Sequence, residues 1–165
     1  MLLTHEESVQ RINGKLHSIT AITDETGKVI KHQVNELKVE LTLTDVMQIL
    51  VGAGMLAIPT ALTQEVWDMG REVPWLNVLV MLLIEYIVIG MFIYLQSYNH
   101  HITLYKSQYI KRVLTILVMS GMIVGLFLAL VGQLPLFTET DVAIKRIIIG
   151  MLPASMSATV MDAFK

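Results

Sequence analysis

One acidic residue stands inside an otherwise apolar stretch: Glu85, near the middle of the run Val73–Leu95. A carboxylate at the centre of a bilayer costs at least about 2.5–3.5 kcal/mol on insertion scales, so it faces the interior of a helix bundle or a water-filled cavity. Two chemistries suit it. It can bind a small cation or carry a proton through the hydrocarbon, or it can tie its helix to a polar partner such as Gln48, Ser120 or Ser155. Glu65, with Trp67 and Asp68 just after it, closes an earlier apolar run. Acidic side chains at a pore mouth select cations, while Trp67 suits headgroup depth and would anchor the helix end. Asp45 and Asp162 flank the first and last apolar runs and would both lie at the cytoplasmic face, so that with Glu85 midway and Glu65 outside they sketch a column of carboxylates across a membrane. Cap chemistry accounts for Asp45 without transport, and a helix end accounts for Asp162. Pro59 and Pro153 are candidate helix breaks. The carbonyls they free can coordinate cations at membrane depth, although a plain kink is the favoured reading.

Other chemistries find no residues. The chain has no cysteine, which removes thiolate nucleophiles, thiolate metal sites and disulfides. His100 and His101 are adjacent and do not converge on one helix face, so they read as part of an interfacial loop. Of the eleven methionines, several are spread along the apolar runs and read as packing residues. No nucleophile elbow, phosphate-binding loop or zinc-protease helix occurs. The expectation is a protein that is not an enzyme, with no cofactor and no metal site. A net charge of −2 leaves no electrostatic footprint for nucleic acid.

The elements that must position these residues follow from hydropathy. Of 165 residues, 54 % are hydrophobic and 16 % charged, against roughly 25 % charged in a soluble domain; the mean hydropathy is +0.62. Nearly all of the charge lies outside four apolar runs. About 20 apolar residues cross the ~30 Å hydrocarbon core as a helix, so the sequence predicts four spans, about 45–64, 73–95, 113–131 and 142–161. Thr44 would cap the first, Pro74 would open the second, 64–73 would be a short acidic link, and 96–112 a polar loop with tyrosines as an aromatic belt. The fourth is apolar only from Ile147 to Met161, which suits a helix that is tilted, re-entrant or buried among the others. Small residues recur every four positions at Ala53, Ala57 and Ala61, at Gly121, Gly125 and Ala129, and at Gly150, Ala154 and Ala158. Such ladders let helix backbones approach closely, and one of them could serve a homo-oligomer interface.

Residues 1–44 read as a soluble β-meander of three or four strands. Asn13-Gly14 is a preferred two-residue hairpin turn, Asp24–Gly27 separates Ser18–Thr23 from Lys28–His32, and Leu37–Leu43 alternates apolar with polar. So small a sheet would pack on the membrane part or on a neighbouring subunit. Five Lys and Arg residues before the first span and three in 96–112, against Arg71 alone in 64–73, place both termini in the cytoplasm; Lys145 and Arg146 count against that.

The pattern Val51-Gly52-Ala53, Ala57-Ile58-Pro59 and Thr63-Gln64-Glu65-Val66-Trp67, with Gly70 after it, resembles a bacterial integral membrane protein family of unknown function. Pro153-Ala154-Ser155 followed by Ala158 is similar too. The resemblance covers roughly 44–165 and implies a multi-helix protein of the bacterial inner (plasma) membrane, with no assigned activity. The sequence thus leads to an all-α, four-helix polytopic bundle with a β-rich N-terminal segment. Its partners would be the lipid bilayer and further copies of itself. The functional expectation is a channel or simple transporter for a small cation or proton, and the alternative is a non-transporting scaffold or regulatory subunit that docks a cytoplasmic partner through residues 1–44.

Overall fold

A computed structural model of the chain describes residues 7–13, 15–23, 29–36, 40–98 and 102–164. It divides into a sheet unit, up to Glu40, and a helical unit from Leu41 onward. The sheet unit has three antiparallel strands in the order β1 (Glu7–Ile12), β2 (Lys15–Thr23), β3 (Val29–Glu36). Ile12 pairs with Lys15, and Asn13 takes a φ of 51°, so the first hairpin turns where the sequence predicts. The Gly14 half of that turn, the break at 24–27 and residues 37–39 lie outside the described residues. No fourth strand follows among the described residues: Leu41 and Thr42 are irregular and Leu43 is already helical. In the sheet Ile19 faces Val34 across β2 and β3, and Arg11 pairs with Glu40 at 2.5 Å.

The helical unit comprises α1 (Leu43–Ala61), α2 (Gln64–Glu72), α3 (Trp75–Ile93), a single π-helical turn at Tyr94–Tyr98, α4 (Ile102–Leu130) and α5 (Thr140–Ala163). With the π turn counted as an extension of α3, four of these are long and apolar enough to cross a membrane. The boundaries differ from the sequence reading in three places, each with a local cause. The cap of α1 is Thr42, not Thr44: Thr42 N–H donates to Asp45 Oδ2 at 2.9 Å and Asp45 N–H donates to Thr42 Oγ1 at 3.3 Å. This reciprocal box satisfies two orphan donors at once, which a Thr44 cap with Asp45 beside it could not do. The supposed link 64–73 is the short helix α2, which buries Val66 and Gly70 and keeps its charges outward. The supposed loop 96–112 is the π turn plus the first turns of α4, where Tyr105 (φ −120°, ψ 27°) marks a kink. His100 and His101 are outside the described residues.

α4 stops where Gly132, at φ +70°, adopts a conformation costly for other residues. Its N–H bonds to Ala129 O at 3.0 Å and Gln133 N–H bonds to Leu128 O at 2.8 Å, the paired bonds that close a helix C-terminus. Pro59 and Pro153 both lie inside helices that continue past them.

α5 is the hub: it packs on α1, α2, α3 and α4. Half of its span is buried, against 28–33 % of the other three. The small-residue ladders explain how. A side-chain carbon added at Gly52 would lie 2.8 Å from Ala158 Cα and 2.7 Å from Met161 Cβ, so α1 and α5 touch nearly backbone to backbone. One added at Gly150 would lie 2.9 Å from Val124 of α4. Ala53, Ala57, Ala61, Ala154 and Ala158 are all fully buried. Of the predicted fates for the fourth span, burial among its neighbours is the one observed.

Candidate functional site

Glu85 projects from the middle of α3 into the contact with α5 and is 0 % exposed. Of the three partners named from sequence, Ser155 meets it: Ser155 Oγ lies 2.5 Å from Glu85 Oε1 and 3.0 Å from Leu152 O. Glu85 Oε2 has no hydrogen-bond partner among the described residues. Gln48 instead donates to Phe164 O at 3.4 Å, and the buried Ser120 Oγ makes no hydrogen bond among the described residues.

From Ser155 a line of buried polar groups runs along α5. Thr159 and Asp162 follow at four and seven residues, on the same helix face. The Thr159 hydroxyl donates to Ser155 O at 2.7 Å. Beside them is a cleft of about 10 Å³ lined by Phe92, Ile93, Gln96, Ser97, Thr159, Asp162 and Ala163, room for about one water molecule.

The line ends at a buried ion cluster. Arg112 Nη1 donates to Asp162 Oδ2 at 2.9 Å and Nη2 donates to Asp45 Oδ2 at 3.1 Å. All three side chains are at most 5 % exposed. Tyr98 is fully buried, hydrogen-bonds with Arg112, and stacks edge-on against Tyr109 with ring centroids 5.4 Å apart. One guanidinium thereby joins the start of α1, the early part of α4 and the end of α5. Its planar fork suits two carboxylates at once, a geometry an ammonium cannot reproduce. Asp45 and Asp162, two rungs of the predicted acidic column, are therefore neighbours in one charge cluster. Arg112 and Tyr98 were hidden in the presumed polar loop. The signal that could have found them was electrostatic: two acids at the ends of apolar spans need a cation, and Arg112 stands directly before the apolar run at Val113.

The opposite end of the bundle has its own fastenings. Arg146, 3 % exposed, donates through Nε to Trp67 O at 3.0 Å and through Nη1 to Gln133 O at 2.7 Å, holding α5 to α2 and to the turn after α4. Gly70 leaves the space its side chain occupies. Lys145 pairs with Asp141 at 3.1 Å and lies 5.3 Å over the Trp75 ring; the Trp75 indole also donates to Asp141. The Trp67 indole donates to Ala61 O at 2.9 Å, satisfying a carbonyl at the end of α1. Glu65 is exposed in the first turn of α2.

Among known proteins, the family described as "Putative integral membrane protein (DUF2391)" matches over residues 23–164, and its function is unknown. No curated protein and no solved structure matches the chain.

Proposed function

The chain belongs to this family of integral membrane proteins, and from that premise we propose that it passes a small cation or proton across the bilayer, with Glu85 as the central site. The observation that carries the reading is a carboxyl fully buried between two spanning helices, one of whose oxygens has no hydrogen-bond partner among the described residues. A residue kept only to fasten α3 to α5 would be expected to use both oxygens, because each buried acceptor left unsatisfied costs about 1–3 kcal/mol. The polar line Ser155, Thr159, Asp162 gives the site a route toward the end of the bundle at which α1 starts. Glu65, exposed at the other end, takes the place of an outer mouth in this proposal.

The same reading puts the α1-start side in the cytoplasm. Lys145 and Arg146, which oppose that orientation by simple counting, are both less than 10 % exposed and engaged with protein groups. In the folded chain they fasten α5 to α2, to Trp75 and to the turn after α4 rather than standing free in a loop. Homo-oligomerisation belongs to the proposal as well, since α3 turns Leu76, Leu79, Leu83, Ile87 and Met91 outward to lipid or a second copy.

Flux of protons and monovalent cations into vesicles holding the purified protein tests the proposal. Wild type should pass one of them, and Glu85→Gln, which keeps the shape and removes the charge, should abolish it while leaving the fold intact. Equal flux from both would reject Glu85 as the site. Silence from both, with folded protein inserted, would turn attention to the scaffold reading. That reading is favoured by a sheet that exposes Val29, Ile30 and Val34.

A further inference from the structure

Resting on that reading, we infer that the ion taken up by Glu85 is a proton, and that Ser155 is the positioning residue that holds the carboxyl in both its charged and its neutral form. A serine hydroxyl has one proton to donate and lone pairs to accept. Ser155 Oγ stands between two acceptors, Glu85 Oε1 at 2.5 Å and Leu152 O at 3.0 Å, and can donate to only one of them at a time. When Glu85 is anionic, the hydroxyl donates to the carboxylate. When Glu85 is neutral, its own O–H donates to Ser155 Oγ, and the serine proton turns to Leu152 O. A rotation about the Cβ–Oγ bond is the whole rearrangement. The balance is simple: one proton joins a carboxylate oxygen on loading and leaves it on release, and no other bond forms or breaks. The number of hydrogen bonds at this contact rises on loading, so the neutral form loses nothing.

Charge placement points the same way. Buried acids need a neutralising partner, and Asp45 and Asp162 have one in Arg112. Glu85 forms no ion pair among the described residues, and Ser155 is its one hydrogen-bond partner there. The charged groups on the packed elements stand away from it. Along α5, Asp162, with Arg112 and Asp45 beside it, lies about 10 Å beyond Ser155; Arg146 and Lys145 lie about 14–15 Å before it. Tyr109 of α4 meets Gly90 rather than Glu85. A hard cation such as Mg²⁺ or Ca²⁺ takes six or more oxygen ligands, whereas the pairing at Glu85 is a single hydroxyl. A proton neutralises the carboxyl with that hydroxyl alone.

Infrared spectroscopy of the full-length protein in lipid vesicles, with carboxyl-labelled glutamate, reads this directly because the label separates glutamate from the aspartates of the ion cluster. Wild type should show a protonated glutamate band that comes and goes reversibly with pH and is missing in Glu85→Gln. In Ser155→Ala the band should move to the higher frequency of a carboxylic acid that has lost a hydrogen bond. Its midpoint should shift by about one pH unit, the surplus of the hydroxyl's bond to the charged carboxylate over its bond to the neutral acid. Ser155→Thr, which keeps the hydroxyl, should restore both. Absence of any titrating band dependent on Glu85 overturns the inference, even if the vesicles conduct a metal cation. A titrating band that Ser155→Ala leaves unchanged overturns the role of Ser155. A band that behaves as expected in vesicles that pass no protons upholds the proton site and overturns transport instead.

Discussion

Replacing Arg112 by methionine removes the cation at the centre of a buried cluster while keeping most of the side chain's volume. Two charge-assisted hydrogen bonds to carboxylates disappear, at 2.9 and 3.1 Å, each worth about 1.5–3 kcal/mol, together with the contact to Tyr98. Asp45 and Asp162, 1 % and 5 % exposed, are left facing each other with that counter-ion gone. Breaking a buried pair in this way costs about 3–5 kcal/mol, and Arg112→Met should destabilise the bundle by that amount. Most of the loss is uncompensated charge rather than lost contact, so it should be recoverable. The triple variant Arg112→Met, Asp45→Asn, Asp162→Asn should regain the larger part, because removing the charges of a buried set together is far cheaper than removing one. The side-chain amide introduced by Asp45→Asn would still offer an oxygen to Thr42 N–H, which leaves the α1 cap in place. Reversible unfolding of the three proteins in mixed micelles measures the differences. A single variant within about 0.5 kcal/mol of wild type, or a triple variant no better than the single, would refute the electrostatic account of the cluster.

The glycines give a matched pair. Gly52→Val places side-chain atoms against Ala158 Cα and Met161 Cβ, so α1 and α5 must part at a cost of about 1–3 kcal/mol; Gly54→Ala, with nothing within 4 Å, should stay within about 0.5 kcal/mol in the same unfolding assay. Arg146→Met should loosen the end of the bundle it fastens. Amide exchange in α2 and in the turn after α4 should quicken by about tenfold or more, the equivalent of one charged hydrogen bond, while exchange around Arg112 stays unchanged. Uniform acceleration across the helices would instead make Arg146 a part of the global core.

Much of this architecture was legible in the sequence because hydrophobic length is a direct reporter of a membrane span. Glu85 stood out for the same reason, and Ser155 was on the short roster of its partners. What escaped was local chemistry that outweighs hydropathy. Thr42 displaced Thr44 as a cap because the reciprocal bonds need a three-residue spacing to Asp45. Residues 64–72 are too polar to read as membrane structure, yet Val66 and Gly70 give them one buried stripe. Tyr98, Tyr109 and Arg112 looked like an aromatic belt and loop charges because polar residues near a span end normally face water. The burial of Arg112 depends on Asp45 and Asp162, 67 and 50 residues away from it, and a separation of that length leaves no periodic trace.

The central place of α5 also bears on how the protein is made. Of the four spans it is the last to leave the ribosome and the least apolar, and it carries Lys145, Arg146, Ser155, Thr159 and Asp162 into the bundle. Until it arrives, Glu85 lacks Ser155 and Arg112 lacks one of its two carboxylates, so the first three spans wait in lipid with polar groups incompletely matched. Conversely, a segment this polar gains most from entering beside helices that already present its partners. Synthesis halted before α5 would therefore leave a membrane-inserted chain with the marks of an unfinished protein, and quality-control proteases would find it by the same residues that complete the finished one.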